Sequence, residues 1–115
     1  MLEFISPWTG EILDAVIEKS EYVKPARLFL GLWTRNYGEE YFEPYCDITV
    51  NIPEEKLSGE SCAFVDTNNA PFITEFLEKH NLAEPTGRLG FSGFCVYPEY
   101  KFNTEEISKH LLGEV

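Results

Sequence analysis

Two histidines, three cysteines, a serine beside a glycine and an Asp-Asn cluster are the residues of this 115-residue chain whose types suit chemistry. A Cys/His pair needs only spatial proximity, so Cys95 as nucleophile with His80 or His110 as base is the first arrangement to weigh. Cys95 stands between Phe94 and Val96, with no adjoining helix start or oxyanion-hole feature, and reads instead as part of an apolar strand. Ser92 lies in Gly90-Phe91-Ser92-Gly93-Phe94, where the second glycine follows the serine directly. A nucleophile elbow needs a residue between them, so the stretch predicts a bulge or tight bend. Asp66, Asn68 and Asn69 offer oxygen ligands, yet the spacing of a calcium loop, with its central Gly and distant Glu, is absent. That cluster predicts an Asx turn that stops a strand and caps the helix after it. No glycine-rich phosphate motif occurs, and neither a metal nor a cofactor is expected. An enzymatic pocket, if one existed, would be sought near Asp66, Asn68, Ser92 and Tyr97.

Cys46, Cys62 and Cys95 are odd in number, lack CxxC spacing and sit in or beside apolar runs, the pattern of reduced, buried thiols. With a net charge of -11 and the acidic excess spread over each third of the chain, direct binding to nucleic acid or to an anionic membrane is not expected. The N-terminus has no basic n-region and breaks at Pro7, and the longest apolar run, Leu28 to Trp33, is far too short to span a bilayer. A cytoplasmic location follows as the simplest expectation. The aromatic set is the remaining asset: Trp33, Tyr37, Tyr41, Phe42, Tyr45, Tyr97 and Tyr100 exceed what a small core obviously needs, so some of them are candidates for a partner-binding face.

The elements that must position these residues are legible to different degrees. A length of 115 residues and 43% apolar content predict one domain over residues 1–115 with one core. Glu11 to Val23 fits both helical and strand periodicity, and its β-branched Val16-Ile17 favours a strand. Arg27 to Thr34 reads as a strand, Arg35 to Glu40, with its Asn36 and Gly38, as a hairpin bend, and Pro44 as a strand start, bulge or edge. Ile48, Val50 and Ile52 alternate with polar residues as in a half-buried strand. Ser61 to Asp66 reads as a short strand, and from Ala70 a helix follows, with Asn69 as its cap, Pro71 in its first turn and a Phe72, Ile73, Phe76, Leu77 stripe. Asn81 and Leu82 suit the stop of that helix. Ala83 to Arg88 reads as a turn, Leu89 to Phe102 as strand broken at Pro98, and Asn103 with Glu106 has capping-box spacing ahead of a short C-terminal helix. The expected fold class is α+β, a mostly antiparallel sheet of about four or five strands covered by a central helix.

Four stretches together carry a resemblance: Ile48-Thr49-Val50-Asn51-Ile52, Phe64-Val65-Asp66-Thr67-Asn68-Asn69, Ala83-Glu84-Pro85-Thr86-Gly87 and Ser92-Gly93-Phe94-Cys95-Val96-Tyr97-Pro98-Glu99-Tyr100. The chain is similar to a domain-of-unknown-function family of small acidic proteins often encoded on conjugative and other mobile elements of gut bacteria, over about Leu28 to Asn103. The resemblance implies a bacterial cytoplasm and a mobile-element setting, and it supplies no catalytic residues. Three functions are therefore carried forward. A non-catalytic interaction module, a small homodimer or an accessory factor of a mobile element, would use the aromatic stretch Trp33 to Tyr45. An acidic mimic of nucleic acid, of the antirestriction or anti-defence type, would occupy a basic protein cleft. A small enzyme would need a pocket near Asp66 and Ser92.

Overall fold

Alternation of apolar and polar residues dominates the chain, and strands dominate the structure. A computed structural model describes residues 2–23 and 25–113. In chain order the elements are β1 (Leu2–Ile5), β2 (Ile12–Glu21), β3 (Leu28–Arg35), β4 (Glu43–Asp47), β5 (Thr49–Val50), β6 (Cys62–Val65), α1 (Ile73–Lys79), β7 (Ala83–Ser92), β8 (Cys95–Phe102) and α2 (Thr104–Ile107). They form two antiparallel sheets, one of order β1-β2-β3-β4 and one of order β5-β6-β8-β7.

The mixed, mostly antiparallel class agrees with the sequence, but the single sheet of four or five strands does not. The division arises at Ile48. Its N–H donates to the Leu30 carbonyl of β3 and its carbonyl accepts from the Asp66 N–H beside β6, each at 2.9 Å. One residue thus belongs to both ladders, and the Ile48 to Ile52 alternation is divided between a sheet crossing and the two-residue β5. Pro44 stands opposite Trp33 at a register shift in the edge strand β4, where the missing N–H costs least.

The ambiguous Glu11 to Val23 segment is the strand β2, paired on one side with β1 and on the other with β3. Ala15 and Ile17 point into the main core with Leu30 and Leu32 of β3, Val65 of β6, and Tyr100 and Phe102 of β8. Helix α1 has only seven residues and closes this core with Ile73, Phe76 and Leu77. Its aromatic side meets the first sheet: Phe76 and Phe72 lie 5.4 and 5.7 Å from the Phe4 ring, and Phe72 lies 6.1 Å from Tyr45.

The helix stop is as the sequence reads. Asn81 takes φ +56, its N–H bonds the Glu78 carbonyl, and the Leu82 N–H bonds the Leu77 carbonyl at 2.8 Å, both bonds of a Schellman motif. The helix start differs. Phe72 precedes the first turn without a side-chain cap, and the Asp66 carboxylate accepts instead from the Asn69 N–H and its Nδ2, at 3.3 and 3.0 Å. Asp66 and Asn69 therefore turn the chain out of β6 without capping α1, and Asn68 is exposed.

At the C-terminal end, Asn103 Oδ1 accepts from the Glu106 N–H at 3.1 Å and starts α2. A 3-10 turn, Ser108–His110, follows. Leu111 then bridges Ile17 in parallel, and the Leu112 N–H donates to the Ile17 carbonyl at 2.8 Å. Among the described residues no helix is long and apolar enough to cross a membrane.

Candidate functional site

The stretch from Leu89 to Pro98 contains no charged residue, in a chain that is 25% charged. It forms the far half of the β7–β8 hairpin. Pairing of β6 with β8 runs over Glu99 to Lys101, whereas β7 pairs with β8 out to Ser92 and Cys95. Beyond Glu99 the hairpin is thus a two-stranded ribbon that outruns the sheet. Gly93, at φ +59, takes the first central position of its two-residue turn, which a side chain at that dihedral would strain.

The two faces of the ribbon differ sharply. Gly90, Cys95 and Tyr97 face a small core of Ile52 and Phe64, with Leu57 packed against it. The Phe64 ring sits directly on Gly90: a Cβ there would come within 2.6 Å of the ring. The other face presents Leu89, Phe91 and Val96 to solvent, with Phe91 58% exposed, and Phe94 stands fully exposed at the tip. Phe91 and Val96 are direct cross-strand partners, and Leu89 and Pro98 are the next pair on the same face. Scattered exposed apolar residues are ordinary, whereas here Leu89, Phe91 and Val96 share one face of the ribbon and Phe94 stands at its tip.

Polar bonds anchor the base of this ribbon to the body. Glu99 is completely buried, and its carboxylate accepts from the Ser58 N–H (2.8 Å), the Ser58 hydroxyl (2.6 Å), the Thr86 hydroxyl (2.6 Å) and the Arg88 guanidinium (3.0 Å). Burial works against its charge, and the Ser58, Thr86 and Arg88 donors overcome it, holding the carboxyl below its usual range. The same Arg88 nitrogen donates to the Lys56 carbonyl at 2.7 Å, tying the loop between β5 and β6 to β7. From that loop the Glu55 carboxylate accepts the Phe91 N–H at 2.8 Å.

A protein-family comparison matches residues 16–113 to Domain of unknown function (DUF4313). The chain belongs to the DUF4313 family. The match extends beyond both ends of Leu28 to Asn103, the region of resemblance read from the sequence, and its description assigns no activity. The chain matches no curated protein and no solved structure.

This DUF4313 domain separates the aromatic candidates rather than gathering them. Tyr37 and Tyr41 are 93% and 75% exposed on the loop between β3 and β4. Trp33 and Tyr45 are half-buried: the indole donates to Glu18 at 3.1 Å, and the Tyr45 ring packs 4.9 Å from Phe4. Tyr97 and Tyr100 are buried, Tyr97 in the small core and Tyr100 in the main one, where its hydroxyl donates to Glu78 at 2.8 Å. Burial and the Glu78 charge push the Tyr100 hydroxyl up to about 12. Tyr97 and Tyr100 thus pack as core residues in the free chain.

The groups considered for catalysis are likewise engaged elsewhere. His80 bonds the Glu3 carbonyl and His110 bonds Glu106, while Cys95 packs against the small core. Burial, then the Asp47 and Asp66 charges, push the Cys46 thiol up to about 12, far from a nucleophile's range. Clefts of 720, 390 and 290 Å³ exist, and neither Asp66 nor Ser92 lines any of them. Among the described residues no three His, Cys, Asp or Glu side chains converge as a metal site requires. Leu89, Phe91, Phe94 and Val96 are plain hydrophobes that, read along the chain, look like any core strand, so their exposure is not legible from residue type. The uncharged run from Leu89 to Pro98 was the available signal.

Proposed function

We propose that this protein is a non-catalytic protein-interaction module whose contact surface is the outer face of the β7–β8 ribbon. One observation carries the reading: Leu89, Phe91, Phe94 and Val96 stand exposed together on a ribbon held in place by buried polar bonds. A surface that is rigid before binding loses little entropy on binding, and exposed aromatics supply most of the energy of such contacts. The net charge of -11 makes a basic surface the electrostatic complement, so the partner has an apolar pocket with Lys and Arg around it. A bacterial cytoplasm and an accessory role on a mobile element belong to the same reading, supported by the resemblance of the motifs and by three free thiols.

The test is capture from the native host with wild type and a Phe94→Ser, Val96→Ser variant side by side, followed by titration of the purified pair. Both changes lie at exposed positions, so the fold should persist. Loss of the partner with at least a tenfold weaker affinity is expected. Equal recovery and equal affinity for every partner would remove the ribbon from consideration.

A further inference from the structure

We propose that the outer edge of β7 is a strand-addition site for a second copy of this chain, and that the Glu55 carboxylate holds it shut in the free protomer. β7 is the terminal strand of its sheet, so one side of its backbone faces away from any ladder. Ser92 and Cys95 flank a two-residue turn and form a hydrogen-bonded pair. Alternation then makes Gly90 and Tyr97 the next bonded pair and leaves the N–H and C=O groups of Leu89 and Phe91 turned outward. Two contacts agree with this. Pro98, which has no N–H, sits opposite Leu89, and the Phe91 N–H is taken by Glu55 Oε2 at 2.8 Å rather than by backbone.

A carboxylate in that position occupies the place of a strand carbonyl. A second copy offers the carbonyls in matching register. Two β7 strands laid antiparallel about a two-fold axis at Gly90 put Phe91 opposite the partner's Leu89, and Leu89 opposite the partner's Phe91. Both are outward-bonding positions, so every outward amide and carbonyl of these two residues is matched. Leu89 and Phe91 side chains then become cross-strand neighbours on the outer face, continuous with Val96. Charge selects the same place. Two chains of net charge -11 repel, and Leu89 to Pro98 is where they meet without opposing carboxylates once Glu55 swings aside. The pairing extends the sheet in its own plane, so the outer face stays open, and the dimer does not depend on what that face binds.

Sedimentation equilibrium at about 0.15 M salt, with wild type, Glu55→Ala and Glu54→Ala, tests the gate. Glu54 is the exposed neighbour, so Glu54→Ala removes the same charge without touching Phe91. Glu55→Ala should tighten self-association about tenfold or more, because a charge-assisted bond no longer competes, while Glu54→Ala should change it less than about threefold. Amide exchange on the Glu55→Ala protein should slow at Leu89 and Phe91 as concentration rises, and adding Leu89→Pro should restore the monomer. A Glu55→Ala protein that associates no more tightly than Glu54→Ala overturns the proposal. So does a dimer whose Leu89 and Phe91 amides exchange at a rate independent of concentration. The exchange measurement decides the matter even if Leu89→Pro fails to fold. Loss of the dimer with partner capture intact would leave the interaction-module reading standing.

Discussion

Burial alone would drive the Glu99 carboxyl toward its neutral form, and the donors around it reverse that outcome. Ser58, Thr86 and Arg88 come from two separate segments of chain, so the charge is also a fastener: it exists only while the loop and β7 are both docked. Glu99→Gln would turn an amide donor toward one pair of these donors. The expected cost is about 3 kcal/mol, read from urea unfolding at neutral pH. The pH dependence has a definite sign. A carboxyl held below its unfolded value of about 4.3 contributes stability that is complete above that pH and is lost as pH falls through the lower folded value. Wild type should therefore lose stability more steeply than Glu99→Gln below about pH 4.3. Parallel acid titrations of both proteins would discount the fastener. Nothing in the composition announces Glu99: one Glu among twenty acidic residues becomes special only when Thr86, Arg88 and Ser58 meet it in space.

Elements whose signals are local were legible. Asn81 stops α1 and Asn103 starts α2 because each requirement is met within a few residues of chain. Elements decided by distant neighbours were not. Ala83 to Arg88, rich in turn formers, is drawn into β7 because β8 lies alongside it, and the register shift between Pro85 and Leu89 absorbs the irregular residues. Pro98 ends pairing toward β6 but not toward β7, a distinction that needs both neighbours to be known. Gly90 shows the same dependence. Its local role in a strand is unfavourable, and the Phe64 ring, remote in sequence, is the reason for it. Gly90→Ala should cost about 1–3 kcal/mol through displacement of that ring, with the Phe64→Leu, Gly90→Ala double variant recovering part of the loss in thermal unfolding. An additive double variant would mean that the ring yields without cost.

Across the whole molecule the acidic excess acts as a uniform tension on a small body, with a radius of gyration of 13.9 Å. Raising sodium chloride from about 0.02 to about 0.5 M should increase the melting temperature, since screening relieves surface repulsion while the buried Glu99 cluster is little affected. A falling melting temperature would show that surface ion pairs outweigh the repulsion. The last pairing in the chain has a different kind of consequence. Ile17 lies in the fully buried interior of β2, yet one of its backbone bonds comes from Leu112. During synthesis β1 can cover this edge of β2 from Ile12 to Ala15 early, but the stretch at Ile17 has no Leu112 partner until the residues beyond α2 leave the ribosome, a wait of several seconds at about 5–20 residues per second. The expected consequence is that a nascent chain stalled before Leu112 keeps one short stretch of β2 backbone unpaired at Ile17, within reach of chaperones.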